Sequence, residues 1–92
     1  MGKARASNIR LGRLIAEAGI SHAHVARLFV RVALENAAND LAGVGRSHVS
    51  HWVAGTRPSG RGPLILREAL SRHLGRPLTL DDIGLAEPAE AV

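Results

Sequence analysis

Ninety-two residues, 46% of them apolar, provide for one domain with one hydrophobic core and leave no room for a second. The absence of cysteine excludes disulfides and thiolate metal sites, and no apolar run approaches the ~20 residues of a membrane span, Arg27 and Arg31 interrupting the best stretch. A net charge of +4, from 12 Lys and Arg against eight Asp and Glu, points to a polyanionic partner, either nucleic acid or an anionic membrane surface.

Residues 1–7 read as a mobile basic arm, and no apolar segment of targeting length follows them. Asn8 is a good N-cap, and Leu11, Leu14, Ile15 and Ala18 recur at the spacing of one helical face. Gly19 ends that helix. Ser21 caps the next, with Ile20 and Val25 placed to pack as a hydrophobic staple across the cap. Val25, Leu28, Phe29 and Val32 continue the buried stripe, and the pattern carries the second helix to about Asn36–Asn39. Val30, Leu34 and Leu41 form a second apolar row. It either packs on the last helix and the long turn or meets a partner, a homodimer through Val30, Leu34 and Leu41 being one form of the latter.

Gly43-Val44-Gly45 reads as a turn before a short helix, roughly Arg46 to Ala54, with Val49, Trp52 and Val53 directed inward and Gly55 at its end. Thr56 to Gly62 is a loop rich in Gly, Pro, Ser and Arg. Pro63 suits the first turn of a further helix to Leu74, with Leu66, Ala69, Leu70 and Leu74 as its core face and Gly75 as its stop. Thr79 can cap one last turn closed by Gly84, with Asp81 and Asp82 near its positive end. The expectation is an all-α fold: a small four- to five-helix bundle over residues 8–85, containing a helix-turn-helix with an extended second helix. An acidic tail or linker occupies 86–92.

Charge is divided unevenly along this framework. Residues 1–76 hold all 12 bases and four acids, a net +8, whereas residues 77–92 hold four acids and no base, a net −4. Within the basic part, the short helix after Gly45 is the informative element. Opposite its core face lie Ser47, Ser50, His51 and Ala54, flanked by Arg46 and His48. Short polar side chains let a helix approach base edges in the major groove, where Arg takes guanine O6 and N7 and Ser or His donates to base acceptors. Thr56, Arg57, Ser59 and Arg61 in the following loop, and Ser21 and His22 at the start of the second helix, are the kinds of groups that hold phosphates beside such a helix.

Val44 to Trp52, followed by Gly55-Thr56-Arg57-Pro58, resembles the recognition helix and following loop of lambda-repressor-like (Cro-type) regulators. The span from about Ile9 to Leu85, with His51-Trp52, Gly55 to Pro58, Glu68 to Arg72 and Leu74 to Pro77, is similar to the N-terminal domains of certain actinobacterial regulators. The resemblance implies a transcription regulator on double-stranded DNA, commonly dimeric on a two-fold site; with no targeting or membrane-length segment in the sequence, the expected location is cytoplasmic, nucleoid-associated when bound to DNA. By position it implies base contacts for Arg46, Ser47, His48 and His51 and phosphate contacts for Thr56 and Arg57. The sequence departs from the family in one respect: some 19 residues separate Ala26 from Gly45, where members usually have a short second helix and a tight turn.

Two other classes stand beside this reading. An enzyme lacks support: there is no His-Glu-X-X-His, phosphate loop or nucleophile elbow. His48 and His51 at i, i+3, and His22 and His24 at i, i+2, miss the spacing of a helical zinc motif, so no catalytic residue, metal or cofactor is expected. A protein-interaction module would use the Val30, Leu34 and Leu41 row, with non-specific nucleic-acid affinity as a by-product. A lipid-surface variant would use the Arg27 and Arg31 face, although the expectation is no membrane partner.

Overall fold

The first helix, α1 (Ile9–Ala18), starts where Asn8 caps it: the carboxamide oxygen accepts the Leu11 N–H at 3.0 Å. In this computed structural model, which describes residues 6–86, α2 (His22–Glu35), α3 (Arg46–Val53) and α4 (Gly62–Leu74) follow. A single 3-10 turn (Asn39–Leu41) lies between α2 and α3, and no strand occurs among the described residues. The molecule is therefore a small all-α bundle. Except for Ala6 and Ser7, the arm expected over 1–7 lies outside the described residues, as does the acidic tail beyond Ala86.

Helix α2 is the axis of the bundle and packs against both α3 and α4, while α1 leans on α3. Its start is as the sequence suggests: the Ser21 hydroxyl accepts the His24 N–H at 3.0 Å, Val25 is fully buried and Ile20 packs against the core. Its end comes sooner than the apolar pattern suggests. Ala37 adopts φ of 56°, the left-handed conformation, and the chain turns back on itself. The Ala38 N–H bonds to the Ala33 carbonyl at 2.8 Å and the Ala37 N–H to the Leu34 carbonyl at 3.2 Å, the paired bonds of a Schellman motif. Asn36 adds a bond from its side chain to the Val32 carbonyl at 2.8 Å. Burial of Ala38 seals the turn.

This ending decides the fate of the second apolar row. Val30 and Leu41 pack against the core, and of the three only Leu34 is exposed, at 55%. Val30 and Leu41 keep part of their surface exposed, so the row is a partly buried one in which Leu34 projects furthest.

After α4, Leu78, Ile83 and Leu85 return to the core. Thr79 and Asp82 cap each other's N–H groups, at 2.8 Å to Asp82 Oδ2 and 3.0 Å to Thr79 Oγ1, and these bonds hold the Asp82 carboxyl below its ordinary range. The last turn stays a turn, because Gly84 is left-handed and the Leu85 N–H closes onto the Leu80 carbonyl at 2.8 Å. Asn8 binds this turn to the rest. Its Nδ2 donates to the Ile83 carbonyl at 3.0 Å, and its own N–H donates to the Val53 carbonyl at 2.9 Å. On the other side, Arg72 bridges Glu35 and Glu68, both at 2.8 Å, joining the end of α2 to α4. The guanidinium holds the Glu35 carboxyl below its usual value.

Two substitutions should move stability in opposite directions. Ala37→Gly relieves a left-handed alanine and should raise stability by ~1 kcal/mol, read as a higher urea midpoint at unchanged m-value. A Cβ at Gly84 would run into the Asn8 carboxamide in addition to straining the left-handed backbone. Gly84→Ala should therefore cost ~2–3 kcal/mol, whereas Gly43→Ala, with open space around it, should leave the thermal melt nearly unchanged.

Candidate nucleic-acid interface

Eight residues make α3 too short to persist by helix propensity alone, so burial and capping must hold it. Val49 is fully buried and Trp52 nearly so, and Trp52 meets Phe29 of α2 with ring centroids 5.1 Å apart. Val53, expected inward, is half-buried and packs on the core. With that side inward, Arg46, Ser47, His48 and His51 are all exposed.

The N-terminal end of α3 has a cap that the sequence pattern does not announce. The Gly45 N–H donates to His48 Nδ1 at 3.1 Å, so His48 takes the place that Glu or Gln has in a capping box. Because Nδ1 accepts, the neutral imidazole carries its proton on Nε2. His48 thus offers an N–H donor on the edge of the ring away from the backbone.

Ser50 is placed differently from its neighbours. It is half-buried, and its hydroxyl lies 2.8 Å from His22 Nδ1. The pair joins the first turn of α2 to the middle of α3, which gives both residues a positioning role ahead of the base and phosphate contacts expected of them. Ser21, beside them, is exposed, with its hydroxyl engaged in the α2 cap.

The loop residues do not gather into one phosphate grip. Arg57 and Ser59 border a cleft of about 360 Å³ together with His48 and Asp40, over Phe29 and Trp52. Thr56 and Arg57 also border a hollow formed by residues 6–10 and the Gly84–Leu85 turn. There Arg57 Nη2 donates to the Leu85 carbonyl at 2.8 Å, so this guanidinium ties the C-terminal segment to the loop. Arg61 stands apart. The loop carries it across to the start of α4, where it lines a groove with Asn36, Arg67 and Arg72 that no α3 residue borders.

Ion pairing sorts the remaining bases. Arg10 pairs with Asp81 at 2.7 Å, Arg76 with Glu17 at 2.9 Å, and Arg72 with its two glutamates. Among the described residues, Arg13, Arg27, Arg31, Arg46, Arg61 and Arg67 make no ion pair. Also among the described residues, no group of three or more His, Asp or Glu stands together as a metal site, and no helix is long and apolar enough to cross a membrane.

The sequence profile of the SP15 N-terminal domain matches residues 11–86. The chain belongs to the SP15 N-terminal domain family. The matched span runs from the first buried residue of α1 to the end of the C-terminal turn and takes in α2, α3 and α4, whereas Asn8 and the first two residues of α1 precede it. The family description names a position within a protein and no ligand or reaction. No curated protein matches the chain, and no solved structure does.

The His48 cap is directly testable. His48→Ala should lower stability by ~0.5–1 kcal/mol through loss of the cap. His48→Gln, which restores an acceptor at the same helical position, should recover most of that loss in chemical denaturation.

Proposed function

We propose that this domain binds double-stranded DNA in a sequence-specific manner, with α3 in the major groove, as the DNA-reading part of a transcription regulator. The observation that carries the reading is the composition and presentation of α3. A short helix, anchored by Val49 and Trp52, exposes Arg46, Ser47, His48 and His51 and no acidic side chain. The major groove is ~12 Å wide and admits one helix. Arg46 can bind guanine O6 and N7 with two parallel bonds, and the His48 Nε2–H can donate to a purine N7 or a carbonyl acceptor. The resemblance of Val44 to Pro58 to Cro-type regulators supports the same reading, and a DNA-binding role would put the protein on the nucleoid in the cytoplasm. A homodimer on a two-fold site is part of that resemblance.

The experiment is selection of binding sites from a random duplex pool. A recovered motif supports sequence reading, and two-fold symmetry in that motif supports the dimer. Failure to retain any duplex at low salt rejects the function. On the selected site Arg46→Ala should cost ~1–3 kcal/mol and relax base preference at one position; affinity equal to that of the parent protein would remove Arg46 from the base-reading set.

A further inference from the structure

Between α2 and the start of α3 lies a groove of about 370 Å³. Ala23, Ala26, Val30 and Val44 form its floor, Arg27 stands on the α2 bank and Arg46 on the α3 bank. No acidic residue lines it. Both arginines are exposed, and neither makes an ion pair among the described residues. Arg31, one turn along α2 from Arg27, is in a different setting. It borders a groove against α4 with Arg72 and His73, and the Glu35 carboxylate lies within its electrostatic reach.

An apolar floor between two unpaired guanidiniums matches a ligand that alternates apolar and anionic groups along its length. A sugar–phosphate strand has that chemistry: deoxyribose rings present C–H surface, and the phosphates between them carry one charge each. Arg46 connects the groove to the base-facing side of α3. Whatever occupies the groove is therefore continuous with whatever α3 holds.

We propose that this groove holds the backbone of one DNA strand beside the base contacts of α3, with Arg27 as its phosphate anchor. The proposal rests on α3 reading DNA. It places a backbone contact in the second turn of α2, in addition to the contacts expected at its Ser21 end.

The test compares the parent protein, Arg27→Gln and Arg31→Gln by titration on the selected duplex and on an unrelated duplex across a salt series, with thermal melts to confirm folding. Arg27→Gln should weaken binding to both duplexes by a similar factor, roughly tenfold at low salt, and should reduce the salt slope by about 0.9, the value of one phosphate contact. Arg31→Gln should leave the slope unchanged. An unchanged slope in Arg27→Gln, or equal losses in both variants, overturns the anchor while leaving the function of α3 standing. If the parent protein binds no duplex at all, both readings fail, and an acidic protein segment becomes the occupant to seek.

Discussion

Phe29 and Trp52 are the one phenylalanine and the one tryptophan of this protein, which has no tyrosine, and they lie against one another at the junction of α2 and α3. Much else depends on that contact. Helix α3 has too few residues to stand by itself, so its rotation about its own axis is set by what it buries. With Trp52 and Val49 directed at Phe29 and its neighbours, the angle of ~100° per residue leaves Arg46, Ser47, His48 and His51 in water. His22 and Ser50 add a polar bond between the same two helices and limit their sliding past one another. A large apolar contact and a short hydrogen bond together fix where the exposed side of α3 points.

The ends of the chain support this junction from below. Asn8 bonds to the last residue of α3 and to the C-terminal turn at once, and Arg57 holds the same segment from the other side. Leu78, Ile83 and Leu85 then close the core. The C-terminal turn, which the family match includes, is thereby tied to the start of α1 and to the loop after α3.

Charge follows the same architecture. Each exposed ion pair contributes little to stability, but pairing also determines where positive charge remains. The C-terminal acid Asp81 neutralises Arg10, and glutamates on α1, α2 and α4 engage Arg76 and Arg72. Arg27 and Arg46 keep their charge, and both belong to the α2–α3 side. The groove between these two guanidiniums is lined by no carboxylate, whereas Arg13, Arg31, Arg61 and Arg67 carry unpaired charge on other faces.

The sequence by itself determined the features that depend on neighbours three or four residues apart. The Asn8 and Ser21 caps, the left-handed stops at Gly19 and Gly75, the buried stripes of α1, α2 and α4 and the exposed set on α3 all follow from local geometry and helical period. Only the tertiary structure decided the rest. Nothing local marks Ala37 as a left-handed residue; it takes that conformation because the Schellman bonds and the burial of Ala38 offset its strain. Helical period placed Ser50 among the outward residues, but His22, 28 positions earlier, draws it back. Arg57, read from the sequence as a phosphate-facing group, also bonds the Leu85 carbonyl, 28 positions away. Sequence patterns record which residues share a helix face, whereas the partner of a long side chain depends on which distant segment the packed core brings within its reach.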